Sequence, residues 1–204
     1  MELYDSEEQQ VEAIKDWWKE NGKAVIFGAV IGLGGLFGWR YYQDSVLQGQ
    51  EAASEAYTSV ITSLQTQGAD AEASIQTFID SNKGSEYSVL AALQLAKVQV
   101  EANNLDEALA QLEWAKANSK DDALKAVTSY RIARIQAEQK NYDGAMAELE
   151  LIKDPSWAGR IAELRGDISL RKGDEAAAYA AYTEAQQAED ASQTLQMKLD
   201  DLAK

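Results

Sequence analysis

Apolar and polar residues follow two different patterns along this chain. Residues 24–39 read AVIFGAVIGLGGLFGW, a stretch without a charge in a chain whose mean hydropathy is -0.40. Beyond it, apolar residues recur every third or fourth position in segments of roughly 12–18 residues separated by short polar breaks, the period of amphipathic helices joined into antiparallel hairpins. The pattern predicts an all-α chain: one membrane-spanning helix, then an array of helical hairpins. Ala, Leu, Glu and Gln dominate, and Pro155 is the single proline, so no strand is expected.

As a helix, the apolar stretch is about 24 Å long, somewhat short of the roughly 30 Å hydrocarbon core, and snorkelling by Lys23 and Arg40 extends its reach. Trp17, Trp18, Trp39, Tyr41 and Tyr42 then fall near the two interfaces, where amphipathic rings are favoured. A run this short could also be the buried helix of a soluble core, although its five glycines would weaken any helix in water. A cleaved signal peptide fits less well, because the preceding residues are rich in Glu and Asp and GWRYY offers no small-residue cleavage site. Lys15, Lys19 and Lys23 precede the span, whereas after Arg40 no basic residue occurs until Lys83, so the N-terminus is expected to be cytoplasmic and the remainder exported. The expected division is a cytoplasmic segment 1–23, a span with its interface 24–42, and an exported domain 43–204. Gly28, Gly32 and Gly35 share one helix face, where another membrane helix could approach closely or where lipid could simply lie.

Self-comparison of the exported part finds a period. The stretches LQLAKVQVEANNLDEALAQLEWA, YRIARIQAEQKNYDGAMAELELI and ELRGDISLRKGDEAAAYAAYTEA align without gaps at offsets of 37 and then 33 residues. Small residues form one column at Ala96, Ala133 and Gly166 and another at Ala108, Ala145 and Ala178. Large ones form a third at Leu112, Leu149 and Tyr182, and Ala115, Ile152 and Ala185 make a fourth. The turns NNLDEA, KNYDGA and KGDEAA carry the polar and Gly residues needed to reverse the chain. The period, close to 34 residues, resembles that of the tetratricopeptide repeat. The third repeat is degenerate, with Glu175 where the others carry Leu105 and Tyr142, and an ordinary hairpin bundle is the alternative. Residues 41–81 read as two further helices with Val60, Ile61, Leu64, Ile75, Phe78 and Ile79 as apolar positions. Leu195, Leu199 and Leu202 make a final amphipathic helix that would cap the array.

Charge and composition narrow the chemistry. The formal net charge is -15, which repels phosphate backbones and makes nucleic acid a poor partner. Without His or Cys, the usual transition-metal ligands, thiol nucleophiles and imidazole bases are missing, and no cofactor or metal is expected. Only Ser–Lys pairs or carboxylate dyads remain for catalysis, and no motif selects any. Asp121/Asp122 and Asp200/Asp201 read as solvated helix ends, and GLGGLFG lacks the Lys and Ser/Thr of a P-loop. Solenoids of this kind bind partners on the surface built by the first helix of each pair. From the register, that lining would include Leu93, Lys97 and Val100, then Tyr130, Arg134 and Ala137, then Arg160, Glu163, Leu170 and Arg171. Its four basic groups could meet carboxylates of a partner or pair with neighbouring acids of this chain.

The order of features, from QVEAIKDWWKENGK through a Gly-rich span ending GWRYY to degenerate repeats and a short cap, resembles the YfgM family of bacterial inner-membrane proteins over essentially the whole chain. The resemblance implies a single-pass ancillary subunit of the Sec translocon with its repeat domain in the periplasm. It further implies association with the SecYEG channel and the membrane-anchored chaperone PpiD, and help in passing exported polypeptides to periplasmic chaperones. It implies no catalytic residues. A scaffold for another cell-envelope complex, using the same anchor and repeats, is the alternative.

Overall fold

The computed structural model of the chain describes residues 7–202. Those residues form α1 (Glu7–Gln67), α2 (Glu72–Ser81), α3 (Glu86–Glu101), α4 (Leu105–Asn118), α5 (Asp122–Glu138), α6 (Tyr142–Glu150), α7 (Ala158–Arg171), α8 (Glu175–Gln186) and α9 (Leu195–Leu202), with no strand among them. Contacts divide the chain into two units, separated between Ala52 and Ala53.

The first unit is the leading part of α1. Its apolar side chains have no protein cover: Phe27, Ile31 and Phe37 are 69, 71 and 66 % exposed. A soluble core helix buries such residues, so that reading of the span is set aside, and length and composition suit a membrane crossing. The stretch 41–81, which by its pattern reads as two further helices after the anchor, does not begin with a new one: α1 runs without a break to Gln67. No proline interrupts residues 40–67, and Gly49 alone is too weak a breaker. The helix ends only at Gly68, whose φ of +59° is the left-handed conformation that stops a helix, and a 3-10 turn then leads into α2.

In the second unit the helices pair as hairpins, α3 with α4, α5 with α6 and α7 with α8, with α2 packed on α3 and α9 on α8. The end of α1 joins this core through Tyr57, Val60 and Leu64; the Tyr57 ring lies 5.5 Å from that of Tyr87 and 6.3 Å from that of Phe78. Every residue of the four sequence columns is buried. Alanines let the paired helices touch, and Leu112 or Leu149 fills the space behind, each such burial contributing about 1.5–3 kcal/mol.

The turns repeat as closely as the core. Asn103, Lys140 and Gly173 occupy the same place in successive repeats and all adopt positive φ, at 62°, 64° and 83°. The next amide in each case bonds back across the turn, Asn104 N to Gln99 O at 2.7 Å, Asn141 N to Gln136 O at 2.8 Å and Asp174 N to Ser169 O at 2.9 Å. This closure satisfies carbonyls at the end of the first helix. The second helix then starts on a polar cap in two repeats, where Asn141 and Asp174 side chains accept from Gly144 N and Ala177 N. Asp121, half of an acidic pair in the sequence, caps α5 by accepting from Ala123 N and Leu124 N at 2.7 and 3.2 Å.

The degenerate third repeat works by exchange. Tyr182 stands where the other repeats have leucine, fully buried, and a methyl group added to Gly166 would overlap its ring. The Tyr182 hydroxyl donates to Asp167 Oδ1 at 2.7 Å, and Lys198 from α9 reaches Asp167 at 2.6 Å and Glu163 at 2.8 Å while lying 5.4 Å from the centre of the Tyr182 ring. With Leu195 and Leu199 buried beneath, this cluster fastens the cap. Burial first, then the bond to the Asp167 carboxylate, raises the Tyr182 phenol well above its ordinary 10.0. Burial lowers the Lys198 ammonium, but its bonds to Asp167 and Glu163 outweigh that and raise it above 10.5.

Two outcomes follow for thermal melting of the full chain in detergent. Gly166→Ala should lower the midpoint by roughly 3–8 °C through overpacking, and adding Tyr182→Leu should recover part of that loss, giving a non-additive cycle. Both folded-state pKa values in the cap lie above the unfolded ones, so the stability they confer is complete below about pH 10 and lost as pH rises through the folded values. Melting should therefore weaken between about pH 10 and 12, with a shallower decline in Tyr182→Phe, and an identical slope would refute the assignment to this cluster.

Candidate functional site

The first helices of the three hairpins, α3, α5 and α7, line a groove of about 740 Å³. Its lining includes apolar side chains: Leu93, Ile135 and Leu164 are each 6 % exposed, and Val100 stands out at 42 %. Charged side chains form the rim. Lys97 pairs with Glu101 at 3.7 Å, and Arg171 pairs with Glu138 at 2.7 Å while donating to Ala137 O at 3.2 Å. Asp167 is held by Lys198 and Tyr182. Arg131 and Arg134 also line the groove, are exposed, and make no ion pair within 4.0 Å among the described residues.

The groove gathers Leu93, Lys97, Val100, Arg134, Ala137 and Arg171 of the residues expected to line a binding surface. Tyr130, Arg160, Glu163 and Leu170 lie outside its lining. Tyr130 instead packs at a tilt against Trp157 with ring centres 5.5 Å apart, and burial pushes its phenol above 10.0, partly offset by nearby Arg134. Arg160 lies over the same indole at 5.0 Å and near Asp190, whose carboxylate accepts from Gly159 N and Arg160 N at the start of α7. Glu163 belongs to the cap cluster through Lys198, and Leu170 is exposed. The physical reason is register. Leu93, Tyr130 and Glu163 are one column, of which only Leu93 lines the groove, whereas all three repeats contribute lining through Lys97, Arg134 and Asp167 and through Gln94, Arg131 and Leu164. The offsets of 37 and 33 residues define both of these columns, so Arg131 is legible as a lining residue from the repeat alignment.

Chemically, an apolar trough flanked by two guanidiniums without carboxylate partners suits an extended or helical polypeptide segment that offers apolar side chains and an acidic group. Among the described residues no three acidic groups converge as they would around a metal ion. On α1, Gly28, Gly32 and Gly35 have open space where a side chain would project.

A model of the tetratricopeptide repeat-like domain family matches residues 15–204. A protein of Escherichia coli (strain K12) called "Ancillary SecYEG translocon subunit" is 37% identical over 206 residues, covering 100% of both chains. Proteins of the same description from Haemophilus influenzae and Neisseria gonorrhoeae are 36% and 26% identical, each over 96% of this chain and 97% of its own. Together with the hairpin array and its groove, these similarities place the chain in the tetratricopeptide repeat-like family of ancillary SecYEG translocon subunits.

Proposed function

We propose that this chain is a binding scaffold, not an enzyme, anchored in the bacterial inner membrane beside the SecYEG channel, where its groove receives segments of other proteins. The observation that carries the reading is the apolar groove with Arg131 and Arg134 uncommitted on a chain of net charge -15. Elsewhere the acidic surface repels carboxylates, so the groove is where an acidic, partly apolar segment gains most. The relatives' description supports the channel as the neighbour.

In this reading residues 1–23 are cytoplasmic, 24–42 cross the bilayer and 43–204 occupy the periplasm. The basic residues Lys15, Lys19 and Lys23 before the span support that direction. The groove's occupant is an exported polypeptide leaving the channel or a chaperone that takes it over, with the membrane-anchored PpiD the expected partner among the latter. An open trough whose lining mixes apolar and charged side chains favours such varied ligands over one defined sequence.

The test is Arg134→Glu, alone and with Arg131→Glu, in membranes. Partner capture by a photocrosslinker at Val100 should fall roughly tenfold in the double variant while the melting midpoint stays within about 3 °C, because both side chains are exposed. Undiminished crosslinking would remove the groove as the binding surface, and recovery of envelope components without the channel would remove the translocon reading.

A further inference from the structure

The first unit carries a second surface that the groove does not use. Starting at Val11, steps of three and four residues along α1 lead through Ile14 and Trp18, cross the apolar span, and continue at Trp39, Tyr42 and Val46 to Gly49. Trp18 and Trp39 are 21 positions apart, three whole heptads, so the flanks on both sides of the span keep one phase. No position of this series is charged. Every charged residue between positions 10 and 52 except Lys15 falls on the three heptad positions opposite, among them Asp16, Lys19, Lys23 and Asp44. This segregation is the mark of a coiled-coil seam. The seam is bare: Ile14, Trp18, Trp39, Tyr42 and Val46 are all exposed.

We propose that the seam pairs with the seam of a second copy of this chain, as a parallel, in-register dimer running from Val11 to Gly49. Three observations select that occupant. The positions beside the seam, where coiled coils choose unlike partners by charge, are neutral apart from Lys15, and in a parallel pair Lys15 faces Gln10 of the other copy. Nothing there repels an identical helix or specifies a different one. The seam holds one polar residue, Asn21, whose side chain here only donates back to Trp17 O at 3.1 Å. Opposite another Asn21 its amide can both donate and accept, while opposite an apolar partner it would be left unpaired. Finally, the seam makes room for itself. In parallel packing the Trp39 indole enters a hole bounded by Gly35 and Gly38 of the other copy, residues with no side chain to fill it. Identical spans inserted in one direction are parallel by necessity, so the pairing requires only that α1 cross a membrane, not that the groove function as proposed.

The chain has no cysteine, so single-cysteine variants report contacts without background. Tyr42→Cys, Val46→Cys and Gly49→Cys lie on the seam; Tyr41→Cys, Asp44→Cys and Gln48→Cys lie off it. Oxidation in native membranes should give disulfide dimers at the first three and at least about fivefold less at the others. Filling the hole with Gly35→Leu and Gly38→Leu together should lower the Tyr42→Cys dimer about fivefold or more, whereas Gly34→Leu, off the seam, should not. Equal yields at all six positions, or none, would overturn the dimer. A photocrosslinker at Tyr42 that captures a different membrane protein, with no dimer on oxidation, would assign the seam to that protein instead.

Discussion

In the repeat domain, each helical hairpin closes on side chains that are nearly absent. Ala96 and Ala108 in the first hairpin and Ala133 and Ala145 in the second are buried at 0–3 % exposure, and a larger residue at any of them would force the helices apart. Close approach fixes where Leu112 and Leu149 sit, and those leucines in turn carry each hairpin against the next. The third hairpin keeps the constraint by inverting it: the first helix gives up even a methyl group at Gly166, and the second supplies the bulk as Tyr182. A tyrosine brings a hydroxyl that must be satisfied when buried, which is why Asp167, and through it Lys198 and the cap, are drawn into the last repeat.

The groove depends on the same geometry. Small columns set how closely the helices of each hairpin pack, and the first helices share one surface that carries Leu93, Val100 and Leu164 beside Lys97, Arg134 and Arg171. Asp167 occupies the column that carries Lys97 and Arg134 in the earlier repeats. Because the cap takes up that carboxylate, it offers little competition to the two arginines, so the end of the domain and the character of the groove are chemically linked.

The repeat core was legible in the sequence because a buried column must recur at a fixed offset, and two offsets located all four columns. The turns were legible for the same reason, although Lys140 in a left-handed conformation could not be foreseen from its own identity; only its alignment with Gly173 betrays it. The continuous course of α1 was not legible because the change from apolar to polar residues after Trp39 marks a change of surroundings, not of backbone conformation, and Gly49 is too weak to break the helix. The groove was legible by column but not by angle. Which of two adjacent columns faces inward depends on how the hairpins stack, so in α5 Arg131 lines the groove and Tyr130 does not.

The two exposed surfaces of this chain meet different solvents, and their compositions follow. In water, apolar side chains gain by leaving solvent, so a groove can attract its ligand with Leu93, Val100 and Leu164 and leave direction to the arginines. Within lipid that gain vanishes, since acyl chains are as apolar as leucine, and helices associate through close packing and whatever polar group would otherwise lie unpaired. A span built for anchoring alone would do well with leucines throughout. This one spends five of its positions on glycine, each costing about 1 kcal/mol of helix propensity relative to alanine in water, and places four of them on or beside the seam that runs on into both flanks. That distribution gives the proposed pairing of two α1 helices the close approach it needs.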